Sequence, residues 1–183
     1  MGRGHVNRPR AYACLVALVV LGRSPLAHAE APTPWALEGR YAPASAEADR
    51  AGLEAAIERT AAPFFFAIRP LVRSRLRETN PIFATVEIRT AGEAIDCHTP
   101  PVRVVDADDD VATTVIGLDE KPNHATHRRA GEALIQRTWT SEGARATRFV
   151  RTGDDGLTLQ VEVTSPRLAV PLRYELHYRR VKP

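Results

Sequence analysis

Tyr174 and Tyr178 lie four residues apart in a stretch, Leu168 to Tyr178, where apolar residues fall on alternate positions. Extended as a strand, that stretch puts both rings on one face, with Val170 and Leu172. Each tyrosine can then offer its ring to an apolar ligand and its hydroxyl to a polar head. Leu159 and Val161 form a similar face on the preceding alternating stretch, Leu157 to Val163. Arg137 and Trp139 share a face with Ile135, and Arg148 follows Ala144 and Ala146 at the same spacing. An arginine on an inward face suits an acidic ligand, because its fork matches a carboxylate and burial without a partner is costly. The chemistry is therefore non-covalent binding. The candidate ligand-binding set is Arg137, Trp139, Arg148, Leu159, Val161, Val170, Leu172, Tyr174 and Tyr178. The plainer alternative has the aromatic residues filling a core and the arginines emerging at its rim.

Catalysis and metal binding have less to stand on. The chain lacks a Gly-x-Ser-x-Gly elbow, a Walker loop and a dinucleotide fingerprint. Cys97 and His98 are neighbours, and in a strand adjacent side chains point to opposite faces, which separates a nucleophile from its base. Asp106, Asp108, Asp109 and Asp110 have the composition of a hard-cation loop without its spacing or closing glutamate. His124 and His127 are three apart with no cysteine or glutamate at zinc-site spacing. The expectation is a protein that is not an enzyme, with no metal and no cofactor. Groups gathered only in three dimensions are the alternative.

Two kinds of element must position the candidate residues. Ser45 precedes a run with Glu47 and Asp49 in its first turn and Leu53, Ala56, Ile57 and Thr60 at helical spacing. The period continues through Phe64, Ile68, Leu71, Val72 and Leu76, while Pro70 predicts a bend or break. Residues 46–78 are read as a helical pair or one kinked helix. Three consecutive phenylalanines, 64–66, cannot share one face, so at least one should meet a second surface. Arg69, Arg73 and Arg77 are four apart and share a face, where they could meet acidic lipid headgroups or an acidic protein.

After Asn80-Pro81 the period changes to two. Strands are expected over Ile82 to Ile88, Ile95 to Cys97, Val102 to Val105 and Val111 to Ile116, whereas Gly117 to His127 is ambiguous. Leu134 to Trp139, Arg145 to Arg151, Leu157 to Val163 and Leu168 to Tyr178 follow with short hairpin turns. The fold class is mainly β: an antiparallel up-and-down barrel of about seven to nine strands with an N-terminal helical pair or kinked helix. A curved sheet wrapped around the helix is the competing arrangement.

The chain starts with Arg3, Arg8 and Arg10, an apolar stretch from Ala11 to Leu21, and Ala27-His28-Ala29. That is the pattern of a signal peptide cleaved before Glu30, which leaves residues 30–183 as one periplasmic or secreted domain. The apolar stretch is too short to span roughly 30 Å of hydrocarbon, and no other segment approaches that length, so no transmembrane segment is expected. Removing residues 1–29 takes four arginines and no acid from a net +3, leaving −1. A chain of that charge lacks the basic surface that nucleic acid requires. Cys97 is then the one remaining cysteine, which excludes an internal disulfide.

Leu37-Glu38-Gly39-Arg40-Tyr41 looks like a Gly-x-Tyr/Trp opening strand. Residues 46–78 match a helix-turn-helix lid, and Gly131 to Gln136 followed by Trp139 and Gly143 match a late hairpin. In this order the elements resemble the calycin superfamily, lipocalins and fatty-acid-binding proteins, and especially the fatty-acid-binding branch. The resemblance implies a carrier of a lipid or other small apolar ligand inside the barrel. That branch's carboxylate-clamping Arg-x-Tyr is represented by Leu176-His177-Tyr178, which keeps the tyrosine and lacks the arginine. The reading as a whole is an exported, non-catalytic binding protein for a small hydrophobic or amphipathic ligand. Its alternative is a cell-envelope interaction protein with a filled core.

Overall fold

Strict alternation decides the end of the chain. In Leu172–Arg180 every second side chain from Leu172 to Tyr178 is buried, and the neighbouring Gly156–Thr164 buries Leu157, Leu159 and Val161 on the same face, with Val163 half-buried. Tyr174 faces Val161, Leu176 faces Leu159 and Tyr178 faces Leu157 on the inner side. On the outer side Arg173 faces Glu162 and pairs with it at 3.1 Å.

The computed structural model describes residues 35–91, 94–106, 112–118 and 120–182. The signal peptide expected over 1–29 and the acidic residues Asp108, Asp109 and Asp110 lie outside the described residues. The elements are β1 (Gly39–Pro43), α1 (Ala46–Ala61), α2 (Arg69–Thr79), β2 (Val86–Ala91), β3 (Ala94–Thr99), β4 (Val102–Asp106), β5 (Thr113–Ile116), β6 (Pro122–Ala130), β7 (Ala133–Thr140), β8 (Gly143–Thr152), β9 (Gly156–Thr164) and β10 (Leu172–Arg180). One antiparallel sheet holds ten strands in the order β4-β3-β2-β1-β10-β9-β8-β7-β6-β5. First and last strands pair, so the meander curls back on itself. Strands β4 and β5 are the two ends of this order; they approach each other without a hydrogen-bonded ladder, and the barrel is nearly closed.

The count of ten corrects the expected seven to nine. The additional strand is β6, in the stretch whose sequence was ambiguous. Its inward positions include only Ala125 and His127 as buried side chains, so no large apolar residue announces it. Two other boundaries also move. The strand expected from Ile82 begins at Val86, and the strand expected from Leu168 begins at Leu172.

Pro70 does not kink a helix. It stands in the first turn of α2, where its missing donor costs no helical hydrogen bond. Helix α1 buries Leu53, Ala56, Ile57 and Ala61 and lies against β10. Asp49 anchors it: Oδ2 accepts the backbone N–H of His177 at 2.8 Å, and Oδ1 meets the ring Nδ1 at 2.7 Å. This supplies a partner to a backbone group of β10 beyond the reach of β1, which pairs only Tyr178 to Arg180.

The core lies between α1, β1, β2, β9 and β10, and Leu37, Tyr41, Ile57, Ile88, Leu172 and Leu176 are almost fully enclosed. Below it, the Tyr41 hydroxyl donates to Leu37 O at 2.9 Å and accepts from Arg180 at 3.0 Å, tying the entering chain to the last strand.

Candidate binding cavity

The other half of the interior is open. A cavity of about 550 Å³ lies between α2 and the inward faces of β6 to β9, with Thr99, Val102 and Val115 contributing from β3 to β5. Val72 and Leu76 of α2, Phe83, Phe149, Leu159 and Val163 supply apolar surface. Phe64, Leu71, Trp139 and Glu142 also border it. At the turn between β7 and β8, Gly143 is required by a close approach: a Cβ there would lie 2.5 Å from the Thr164 carbonyl oxygen.

Strand β8 brings one charge into this space. The register that sets Phe149 opposite Leu134 and Leu159 places Arg145 on the same inward face, opposite Thr138 and Val163. Its Nη2 donates to the Tyr174 hydroxyl, and its Nη1 donates to Thr79 O, at the end of α2, at 3.2 Å. Tyr174 in turn donates to Asn80 Oδ1 at 3.2 Å, and Asn80 Nδ2 donates to Leu76 O at 2.7 Å. Burial raises the Tyr174 hydroxyl above its ordinary pKa, and the adjacent Arg145 opposes that rise. The tyrosine is thus a neutral donor at neutral pH. Among the described residues no carboxylate lies within 4.0 Å of Arg145, whereas Arg73, Arg77, Arg89, Arg103 and Arg173 each have one. The site holds a cation with two neutral partners.

The candidate residues divide into three groups. Leu159 lines the cavity, and Tyr174 reaches it through Arg145. Val161, Leu172 and Tyr178 are buried in the packed core; the Tyr178 hydroxyl donates to Phe83 O at 3.1 Å, and burial raises its pKa. Arg137, Trp139, Arg148 and Val170 require correction, because none projects inward; Trp139 shares the outward face of β7 with Arg137, beside His124, and only borders the cavity. Arg137 and Arg148 are exposed on the outer wall, where Arg148 donates to Gln160 at 3.4 Å. Val170 lies in the loop before β10 and is 42% exposed. Side chains alternate along β7 and β8 as expected, with the opposite set facing inward: Gln136, Thr138, Arg145 and Thr147. Phe149, the large apolar residue in β8, is the signal that selects Arg145 and Thr147 instead of Arg148.

Helix α2 also departs from expectation. Arg73 pairs with Glu58 at 2.6 Å, and Arg77 grips Glu54 with Nε and Nη2 at 2.7 to 3.0 Å. The Arg77 hydrogen bond holds the Glu54 carboxyl below its ordinary pKa. Arg69 Nε is turned to Phe64 O at 2.8 Å. Most of the basic stripe therefore fastens α2 to α1. Phe64 lines the cavity, whereas Phe65 and Phe66 are exposed and touch each other with ring centroids 4.5 Å apart.

Cys97 points inward from β3 and His98 outward, as adjacent strand residues must. Burial pushes the Cys97 thiol up to about 12, so it stays protonated. His124 stacks near Trp139 on the outer wall while His127 is buried inside, so the two do not converge. Among the described residues no three His, Cys, Asp or Glu side chains are placed to hold a metal ion.

The chain is similar to a fatty acid transporter, REP1-NXSQ, with 16% identity over 80% of this chain and 97% of that one, at a TM-score of 0.46. It is also similar to apo lipid binding protein 8 of Caenorhabditis elegans, with 11% identity over 80% of this chain and 96% of that one, at a TM-score of 0.47. No family model and no curated protein matches the sequence.

Proposed function

We propose that the chain is a non-catalytic carrier that encloses one small amphipathic ligand, with its apolar body between α2 and β9 and its acidic end at Arg145 and Tyr174. One observation carries this reading: an arginine without a carboxylate partner inside a largely apolar cavity of about 550 Å³. That volume suits a single small molecule, since such sites occupy roughly 300 to 1,000 Å³. Burial of methylene groups supplies the bulk of the affinity, at about 0.8 kcal/mol each before the cost of association. The guanidinium selects the charged end and orients the ligand.

Ligand enters beside α2. Phe65, Phe66, Ile68 and Leu71 are exposed there, and Arg69 adds the one member of the basic stripe not held by an α1 carboxylate. Contact with acidic lipid headgroups, expected of Arg69, Arg73 and Arg77 together, thus falls on Arg69. The leader pattern of residues 1–29 supports work outside the cytoplasm, in the periplasm or beyond the cell. Sequencing the N-terminus of the protein from its own cells tests that, with Glu30 as the expected first residue.

The carrier reading is tested by native mass spectrometry with stearic acid and its methyl ester. The acid should bind one to one and survive competition from the ester. Arg145→Met should remove that preference while leaving ester binding in place. Equal retention of acid and ester by the unaltered protein would contradict the reading.

A further inference from the structure

The cavity walls are not all apolar, and the polar residues on them cluster. Gln136 and Thr147 are direct cross-strand partners on the inward faces of β7 and β8, and Thr138 is the cross-strand partner of Arg145. Asn123 and Thr99 face the same space from β6 and β3. Thr99, Gln136 and Thr147 are each more than nine-tenths buried. Among the described residues none of these five side chains makes a hydrogen bond, and Asn123 Oδ1 is fully shielded. The patch adjoins Arg145, because neighbouring strands are about 4.8 Å apart and successive inward positions about 7 Å apart.

We infer that the ligand carries, besides its acidic end, an uncharged oxygen that meets Gln136, Thr147 and their neighbours: an oxygenated amphipathic acid with a hydroxyl or keto group along its body. This rests on the carrier reading and names its ligand class more closely. The group is neutral because the five side chains are hydroxyls and carboxamides without charge. It is an oxygen because each of them can donate to an acceptor, and the threonines and amide oxygens can also accept from a hydroxyl. A plain alkyl chain laid on this wall removes water from these groups and returns no hydrogen bond, which is costly at every buried polar atom. An oxygenated chain returns them. A site built to bond a hydroxyl rejects an analogue lacking it far more strongly than an apolar pocket rejects an added methylene.

The test is isothermal titration calorimetry of the protein with stearate and with a positional series of monohydroxy- and monoketostearates. At least one oxygenated acid should bind roughly tenfold or more tightly than stearate, as expected when one or two buried hydrogen bonds are regained. The double variant Gln136→Leu, Thr147→Val should erase that preference while stearate binding persists, which also shows that the variant is folded. Stearate binding as tightly as every oxygenated acid would overturn the inference and leave the carrier reading standing. A protein that takes neither stearate nor any oxygenated acid would bring down the carrier reading and this inference with it.

Discussion

The two sides of this barrel are built from the same kind of strand and end in opposite interiors. On β9 and β10 the inward residues Leu157, Leu159, Val161, Leu172, Tyr174, Leu176 and Tyr178 are all buried, and α1 packs over β10. On β7 and β8 the inward residues include Gln136, Thr138, Arg145 and Thr147, and they face open space beneath α2. The first side spends its apolar surface on stability. The second keeps polar groups without protein partners, which costs stability and is tolerated where a ligand supplies the missing bonds. Helix placement follows the same division: α1 is anchored by a buried carboxylate, whereas α2 is held by exposed ion pairs.

Equivalent truncations should separate the two sides. Leu176→Ala, in the packed wall, should lower unfolding free energy by about 2–5 kcal/mol in a urea titration, because it opens a cavity that cannot collapse. Thr147→Val, in the open wall, should leave it unchanged or slightly raised, since the lost hydroxyl has no partner to abandon. Similar losses in both variants would dissolve the distinction.

A smaller effect is expected at the α1 anchor. Asp49→Ala strands the His177 N–H and should cost about 1–3 kcal/mol in the same titration, with proteolysis of α1 accelerated. Glu54→Gln, in the exposed pair that fastens α2, should have less effect on global stability. A reversal of that order would show that α2 is the firmer helix.

The smallest effect is one of pH on the outer wall. Asp96 is held below its ordinary pKa, chiefly by a hydrogen bond from Arg103. Its contribution is therefore present above the unfolded carboxylate pKa of about 4 and is lost as pH falls through the lower folded value. The difference in unfolding midpoint between the protein and Asp96→Asn should shrink toward zero below about pH 4. A difference that grows on acidification would contradict the pairing.

Much of the packed side was legible in the sequence, because a large apolar residue at every second position fixes both the strand and its face. Leu157 to Val163 and Leu172 to Tyr178 show that pattern without interruption. The open side is not legible in the same way, for the reason that makes it the candidate site. Strand β6 has no large apolar residue, and β7 and β8 carry polar side chains on both faces, so alternation gave a period without a direction. Alternation alone therefore points Arg137, Trp139 and Arg148 inward and overlooks Arg145, and the structure reverses those faces. The fate of Arg73 and Arg77 was also hidden, because their partners Glu58 and Glu54 lie 15 and 23 residues away on a separate helix.

The central claim is that Arg145 receives the charged end of an enclosed ligand. It is tested most directly by NMR of carboxyl-labelled stearate bound to the protein and titrated with acid. The account predicts that the bound carboxyl remains ionised well below the pH at which a free carboxyl protonates, and that Arg145→Met removes the difference. A bound carboxyl that titrates at its ordinary pKa, unaffected by that substitution, would contradict it.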